Sequence, residues 1–449
     1  MSSSNDTIAA ISTPAGNGGI AVLRVSGESA IAAVDDFFSG NLSQAPSHRV
    51  SFGKFIYQSE IIDEVLITVF RAPQSYTGED VVEISCHGSM FIAQQILEIL
   101  LQKTRLAEAG EFTQRAFLNE KMGLTQAEAV GDLLMAKTKM QHLAAVQQLE
   151  GSLRQQISTL LQQIIHFRTL LELEIDFFEQ DLEELSQADL LSGLEDLLAE
   201  LKKLAATGKE GMILKEGLRI SLVGAPNVGK SSIFNSFLQN ERAIVTPVPG
   251  TTRDYLEEAI ALQGYLVRIF DTAGLRTTEN EVEKIGISRS YEIIKNSHKV
   301  LFIVAEDENE TEYEKLSQLI EPSKICKVLN KSDLCSAEKI SSFRKKNYLI
   351  ANTISAEGLA EIKQNILSEI NLSETDLRSG ILNNSRQIAA AQKAISGLEK
   401  AIESLHNELG YEFTAFDLKE ASHALEEIIG KVTDDDILNS IFSNFCIGK

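Results

Sequence analysis

The sequence predicts a multidomain α/β-plus-α protein: an α+β amino-terminal part, two amphipathic helical stretches, and a Ras-like phosphate-loop module between them. Three observations predict it. Gly224-Ala225-Pro226-Asn227-Val228-Gly229-Lys230-Ser231 fits G-x-x-x-x-G-K-S, between an apolar, β-prone run (Leu218–Val223) and a helix-like run (Ser232–Leu238). Apolar residues recur at steps of three and four from Val146 to Ile175, and again from Ile388 to Ile402. Before residue 120, short β-like runs alternate with turns. The expected segments are 1–119, 120–215, 216–371 and 372–449, with the third inserted into one helical domain made of the second and fourth.

A chain of 449 residues suffices for two or three domains. Lys and Arg number 42 against 64 Asp and Glu, a formal charge of −22. That sign opposes indiscriminate binding to nucleic acid, so an RNA substrate would need a local basic patch or a partner that supplies one. Cys86, Cys326, Cys335 and Cys446 show no C-x-x-C spacing, which argues against a metal site or a disulfide framework. No apolar run approaches the roughly 18 residues of a membrane span, and the amino terminus lacks a basic region followed by an apolar core. A cytoplasmic protein is expected.

In chain order, Thr7–Ile11, Ile20–Val25, Val65–Phe70 and Val81–Ser85 read as strands, and about 90–101 as a helix. Gly18 and Gly19 read as a β-turn. From about 121 to 210 the composition shifts to Leu, Glu, Gln and Ala. The stripe Val146, Leu149, Leu153, Ile157, Leu160, Ile164, Phe167, Leu171 and Ile175 reads as the core face of a helical bundle. The acidic run from Glu172 to Glu184 reads as a solvated face or a loop.

The phosphate loop implies nucleotide binding. Its glycines let backbone N–H groups approach phosphate oxygens, and the following helix adds positive potential at its N-terminus. Asn227, Val228, Gly229, Lys230, Ser231 and Ser232 are the expected phosphate contacts; Lys230 reaches the β/γ-phosphates and Ser231 ligates Mg²⁺. Asp271-Thr272-Ala273-Gly274 follows the strand-like Tyr265–Phe270, where Asp271 supports the Mg²⁺ shell and Gly274 meets the γ-phosphate. Asn330-Lys331-Ser332-Asp333 supplies a carboxylate at Asp333 for the N–H and 2-amino pair of guanine, which adenine lacks, so GTP is expected over ATP. Ser355 and Ala356 suit the O6 side of the base. Thr252 is the candidate switch threonine and second Mg²⁺ ligand. Leu275 stands where a glutamine would orient the attacking water, so other groups must do that work.

With these pieces in order, the chain closely resembles the bacterial and organellar tRNA-modification GTPases of the MnmE (TrmE) type. Markers outside the GTPase motifs carry the resemblance: Asp6-Thr7-Ile8-Ala9-Ala10, Leu23-Arg24-Val25-Ser26-Gly27, Tyr76-Thr77-Gly78-Glu79-Asp80, Gly110-Glu111-Phe112-Thr113-Gln114-Arg115-Ala116-Phe117 and Phe445-Cys446-Ile447-Gly448-Lys449. One departure is Phe178 after Asp176-Phe177, where members of the family commonly have proline.

The resemblance implies a homodimer assembled through amino-terminal domains that bind tetrahydrofolate. It implies a flavin- and NADH-dependent partner of the MnmG (GidA) type, and chemistry at C5 of the wobble uridine of tRNA with a tetrahydrofolate one-carbon unit. Arg24, Glu79, Lys121 and Lys449 would line the site for a 5,10-methylene- or 5-formyl-tetrahydrofolate. In the loop Thr246-Pro247-Val248-Pro249-Gly250-Thr251, which also borders GTP, the carbonyls of Thr246, Val248 and Thr251 would join Asn227 on K⁺. That ion would stand where an arginine finger points, coupling hydrolysis to G-domain dimerisation. Glu283 matches the family's general base. Cys446 is a candidate catalytic thiol, or a small residue packing the tail. The rival reading is a GTP-dependent assembly switch acting on ribosomal RNA; the amino-terminal domain and the Cys-Ile-Gly-Lys ending argue against it.

Overall fold

A computed structural model describes residues 6–176, 186–240, 242–243, 257–271, 291–307, 309–355, 357–370, 372, 374–432, 435–443 and 445–449. Contacts divide the chain into two units, Met1–Gly131 with Gln148–Leu161 and Ser422–Lys449, and Asp132–Gln147 with Gln162–Ala421.

The first unit opens with β1 (Ile8–Ile11), β2 (Ile20–Ser26), α1 (Ala30–Asp35), β3 (Val50–Tyr57), β4 (Glu60–Phe70), β5 (Val81–His87), α2 (Met90–Leu100), β6 (Arg105–Leu106) and α3 (Glu111–Leu118). The six strands form one sheet in the order β3-β4-β5-β2-β1-β6. All neighbours are antiparallel except β1 and β6. Alternation along each strand sends Leu23, Val25, Val65, Ile67 and Ile84 to one face, where they pack with Val34 of α1 and Ile96 and Leu100 of α2. β3 was not anticipated, because Gly53 interrupts its run and Val50 and Phe52 are exposed. Gly53 is there for Phe38, since a Cβ would stand 2.4 Å from that ring's Cε2. Gly18 and Gly19 exchange backbone hydrogen bonds with Gly88, at 2.9 and 3.3 Å, across the ends of β2 and β5.

Helices α4 (Leu124–Met135), α5 (Lys139–Leu149), α6 (Ser152–Asp176) and α7 (Gln187–Glu216) follow. The apolar stripe expected as the core face of a helical bundle is divided between α5 and α6. Gly151 sits between them at φ +92°, a conformation that ends a right-handed helix and that glycine adopts without strain. Leu153, Ile157, Leu160, Ile164 and Leu171 are buried as expected. Of the acidic run, Glu172 to Asp176 complete α6, and 177–185 lie outside the described residues.

The second unit continues with β7 (Leu218–Val223), α8 (Lys230–Asn240), β8 (Arg242–Ala243), β9 (Glu257–Leu262), β10 (Tyr265–Asp271), β11 (Lys299–Ala305), α9 (Glu310–Leu319), β12 (Ile325–Asn330), α10 (Ala337–Lys345), β13 (Leu349–Ile350) and α11 (Leu359–Leu367). The strands run β13-β12-β11-β7-β10-β9-β8, with the first five parallel, β9 antiparallel to β10 and β8 antiparallel to β9. β7 lies between β10 and β11, so the chain leaves its carboxyl end where the winding reverses, the place at which open α/β sheets bind ligands.

The chain ends in α12 (Glu374–Ser379), α13 (Ser385–His406), α14 (Tyr411–Ile429) and α15 (Asp435–Phe442). Within the second unit α13 runs antiparallel to α7, although the seven-stranded sheet separates them in sequence. Lys202 pairs with Glu399 at 2.7 Å, and the Gln187 amide donates to the Leu405 carbonyl at 3.0 Å. Gly208 and Gly211 of α7 are the close-approach points, facing Ile388 and the Leu382 carbonyl.

Alanine favours a helix interior over glycine by about 1 kcal/mol. At Gly211 a methyl would stand 2.0 Å from the Leu382 oxygen, a backbone atom that cannot turn away. Gly211→Ala is therefore expected to lower stability by about 2 kcal/mol. Gly19→Ala, with nothing within 4 Å of the added carbon, is expected to stay within about 0.5 kcal/mol. Thermal unfolding of both variants checks the pair, and an unchanged midpoint for Gly211→Ala contradicts this packing.

Candidate functional site

The phosphate loop joins β7 to α8, and its backbone requires its glycines. Gly224 has φ +151° and lies against the Ile303 carbonyl, which a Cβ would meet at 2.1 Å. Gly229 has φ +95°, and a Cβ there would meet Asn330 Nδ2 at 2.1 Å. Asn227 is left-handed at φ +67°, a conformation its short polar side chain tolerates, and it is exposed. Lys230 opens α8 and is 8% exposed. Its ammonium donates to the Gly224 carbonyl at 2.6 Å and the Ala225 carbonyl at 2.9 Å, which leaves one of its three N–H groups for a phosphate oxygen. Burial pulls the Lys230 ammonium below its ordinary value, and the charges of Asp271 and Glu312 partly restore it. Asp271 is buried at the end of β10, whose register sets it opposite Leu222 of β7.

The residues expected to read the base are tied to this loop from β12. Asn330 is fully buried and its Nδ2 donates to the Val228 carbonyl at 3.0 Å. Lys331, left-handed at φ +55°, donates from Nζ to the Asn227 carbonyl at 2.8 Å. Ser332 N–H donates to the Ala351 carbonyl at 3.2 Å, which joins the Asp333 turn to the segment after β13. Asp333 and Ser355 are exposed. Gly358, at φ +76°, lets its segment pass the Ile350 carbonyl. The structure thus brings Asn227–Ser232, Asp271, Asn330, Lys331, Asp333 and Ser355 to the carboxyl ends of the parallel strands. Thr246, Pro247, Val248, Pro249, Gly250, Thr251, Thr252, Thr272, Ala273, Gly274, Glu283 and Ala356 lie outside the described residues. Ser231 and Asp271 supply the hard oxygen donors that suit Mg²⁺.

The first unit gathers a second group. Arg24 on β2 donates from Nε and Nη2 to Glu83 Oε1, at 3.0 and 2.7 Å, and its guanidinium lies 5.2 Å from the Tyr76 ring and 5.6 Å from the Phe112 ring. Glu79 accepts from Ser26 Oγ at 2.7 Å and from Arg115 at 3.2 Å. Lys121 Nζ donates to the Pro73 carbonyl at 2.8 Å. The tail lies alongside β1 and α3: Ser12 Oγ donates to the Gly448 carbonyl at 3.1 Å, and Phe112 N–H to the Lys449 carbonyl at 3.2 Å. Phe112 thus touches both the Arg24 guanidinium and the Lys449 backbone. The group thus gathers the cations Arg24, Arg115 and Lys121, the carboxylates Glu79 and Glu83 and the rings of Tyr76 and Phe112.

Sequence reasoning gave no role to Asp6, Arg105, Glu111 and Arg115, which form an ion cluster beneath this group. Arg105 donates to Asp6 at 2.7 Å and to Glu111 at 2.7 and 3.1 Å; Arg115 reaches Asp6 at 2.6 Å and Glu111 at 2.9 Å. Hydrogen bonding from Arg105 holds the Asp6 carboxyl below its usual value against the opposing effect of burial. Burial would raise Glu111, but hydrogen bonds from Arg105, the Glu108 backbone and Arg115 outweigh it and depress it. Both carboxylates therefore add stability above the ordinary carboxylate range, and it is lost as pH falls through their depressed values. For Asp6, Glu111 and Arg115 the available signal was their place inside the short motifs that carried the resemblance; Arg105 lies in none of those motifs.

Among protein families, the MnmE helical domain matches residues 124–446, and the GTP-binding protein TrmE N-terminus matches residues 7–121. The chain is 42% identical to the tRNA modification GTPase MnmE of Carboxydothermus hydrogenoformans, 40% identical to that of Christiangramia forsetii and 40% identical to that of Clostridioides difficile. In each case 99% of this chain and 99% of the relative are covered.

Thiol exposure separates the cysteines. Burial, with the Asp63 charge adding, pushes the Cys86 thiol up to about 11, and burial pushes Cys326 up to about 12, whereas Cys446 is exposed. Iodoacetamide at pH 8 followed by peptide mass spectrometry is expected to label Cys446 first, with Cys86 and Cys326 reacting only after unfolding. Labelling of Cys326 in the folded protein at the rate of Cys446 contradicts this assignment.

Proposed function

The chain belongs to the MnmE family of tRNA modification GTPases, and we propose on that basis that it binds and hydrolyses GTP to drive modification of C5 of the wobble uridine in tRNA. The observation that carries the nucleotide part is the set of bonds from Lys230, Asn330 and Lys331 to carbonyls of the phosphate loop. They fix the phosphate-binding and base-reading residues as one body, so a nucleotide meets a preorganised site. Lys230 directs its remaining N–H at a phosphate oxygen, the amides at the start of α8 add partial positive charge, and the exposed Asp333 accepts the guanine N–H pair.

Mg²⁺, held by Ser231 and Thr252 beside Asp271, would neutralise charge on the transferring phosphoryl group. K⁺, held by Asn227 with the carbonyls of Thr246, Val248 and Thr251, would add positive charge in place of an arginine finger. Thr246–Thr252, Thr272–Gly274, Ser355 and Ala356 complete the GTP contacts, and Glu283 orients the attacking water through a second one. The donor set of the first unit supports a reduced-folate site: Glu79 accepts the pterin edge, and Arg24, Lys121 and Lys449 pair with the folate's acidic groups. Cys446 takes part in the uridine chemistry. The working assembly is a cytoplasmic homodimer, joined through its amino-terminal domains, with an MnmG-type flavoprotein.

The segments 1–119, 120–215, 216–371 and 372–449 serve as folate-binding domain, helical domain, G domain and the return of the helical domain. The antiparallel packing of α7 on α13 supports insertion of the G domain, because the chain leaves the helical layer before β7 and rejoins it at α13.

Asp333→Asn replaces an acceptor pair with a mixed amide face. GTP affinity is expected to fall at least about a hundredfold while xanthosine triphosphate, with an acceptor at position 2, gains. Fluorescent-nucleotide titration checks this, and unchanged GTP affinity removes Asp333 from base recognition. GTP turnover should also be much faster in KCl than in NaCl of equal ionic strength; equal rates remove the K⁺ role.

A further inference from the structure

We propose that Arg115 is a positioning residue: together with Ser26 it holds the Glu79 carboxylate in the orientation that accepts the ring N–H and 2-amino edge of a reduced pterin. The inference rests on the folate reading and deepens it by saying what makes Glu79 competent. A glutamate side chain has three free torsions, and fixing it for a ligand costs rotamer entropy on binding unless the fold has already done so. Here the fold has done so. Ser26 Oγ donates to Oε2 at 2.7 Å, and Arg115 Nη1 lies 3.2 Å from both Oε1 and Oε2. Ser26 is fully buried, and its oxygen also pairs with Thr77 Oγ1 at 2.7 Å. Thr77 Oγ1 in turn accepts the Glu79 N–H at 3.2 Å, so the side chain and the backbone of Glu79 are gripped by one hydroxyl pair.

Arg115 is itself immobilised. Nη1 donates to the Asp6 carbonyl at 2.8 Å, Nη2 to Asp6 Oδ1 at 2.6 Å and to Glu111 Oε1 at 2.9 Å, and Nε to Glu111 Oε1 at 3.3 Å. Arg105 fixes Asp6 and Glu111 from the other side. Within the cluster two guanidinium groups, Arg105 and Arg115, face three carboxylates, Asp6, Glu79 and Glu111, which leaves one net negative charge. A ligand edge made only of N–H donors suits that excess, and an anionic edge does not. A carboxylate offers about four acceptor positions; the bond from Ser26 and the two contacts from Arg115 take three, which leaves one on Oε1 for the ring N–H and the 2-amino group to share.

The test is a double-mutant cycle on the full-length chain, with the affinity for 5-formyltetrahydrofolate read by titration calorimetry. Glu79→Gln is expected to weaken binding at least about tenfold. Arg115→Gln is expected to weaken it by a similar factor when Glu79 is present, and by less than about twofold in the Glu79→Gln background, because it acts only through that carboxylate. Equal losses in both backgrounds, or no loss in either, overturn the positioning role and assign Arg115 to the framework. If Glu79→Gln itself leaves affinity unchanged, the folate reading of Glu79 falls and the proposal with it. If Glu79→Gln weakens binding while the Arg115 effect is additive, the folate reading stands and the proposal alone falls. Should Arg115→Gln fail to fold, Ser26→Ala removes the Oε2 hydrogen bond without touching a charge. The same cycle then applies, with an expected loss of about fivefold that vanishes in the Glu79→Gln background.

Discussion

The buried guanidinium of Arg115 ties together parts of the amino-terminal unit that no apolar contact could align so narrowly. It reaches Asp6 two residues ahead of β1, the turn between β4 and β5 at Glu79, and its own helix at Glu111. Taking such a group out of water is costly, and the cost is offset only when every donor finds a partner in good geometry. Removing a single partner would leave charge buried and uncompensated, at a cost of about 3–5 kcal/mol. An apolar core tolerates substitutions of similar volume; a network of this kind tolerates few, which is how it specifies a site rather than a fold.

The nucleotide module meets its constraint with backbone instead of charge. Gly224 and Gly229 occupy positive-φ conformations and lie within reach of a carbonyl and an amide that any side chain would strike. The loop is therefore drawn against β11 and β12, and Asn330, fully buried, bonds to it from the end of β12. The parallel strands supply the rest, because their carboxyl ends all deliver loops to one edge of the sheet.

Much of this was legible in the sequence because each signal was local. The runs Leu218–Val223 and Tyr265–Phe270 became β7 and β10 with at most one residue added, since short β-prone runs beside turn residues have few other uses. The break at Gly151 was hidden because the apolar period continues through it, and one glycine at positive φ is enough to divide two helices. β3 was hidden because Phe38, a residue distant in sequence, dictates a glycine in its middle. Arg24, Glu79, Lys121 and Lys449 could be named from resemblance, whereas the roles of Ser26, Asp6, Glu111 and Arg115 could not. Their partners lie up to 109 residues away, and charge type alone does not say which groups will meet.

Nucleoside mass spectrometry of tRNA from cells lacking this chain tests the account most directly. It predicts wobble uridines without their C5 substituent and restoration on re-expression of the intact chain. An unchanged nucleoside profile, accompanied by immature ribosomal particles, would contradict a role in tRNA modification and point to GTP-driven assembly.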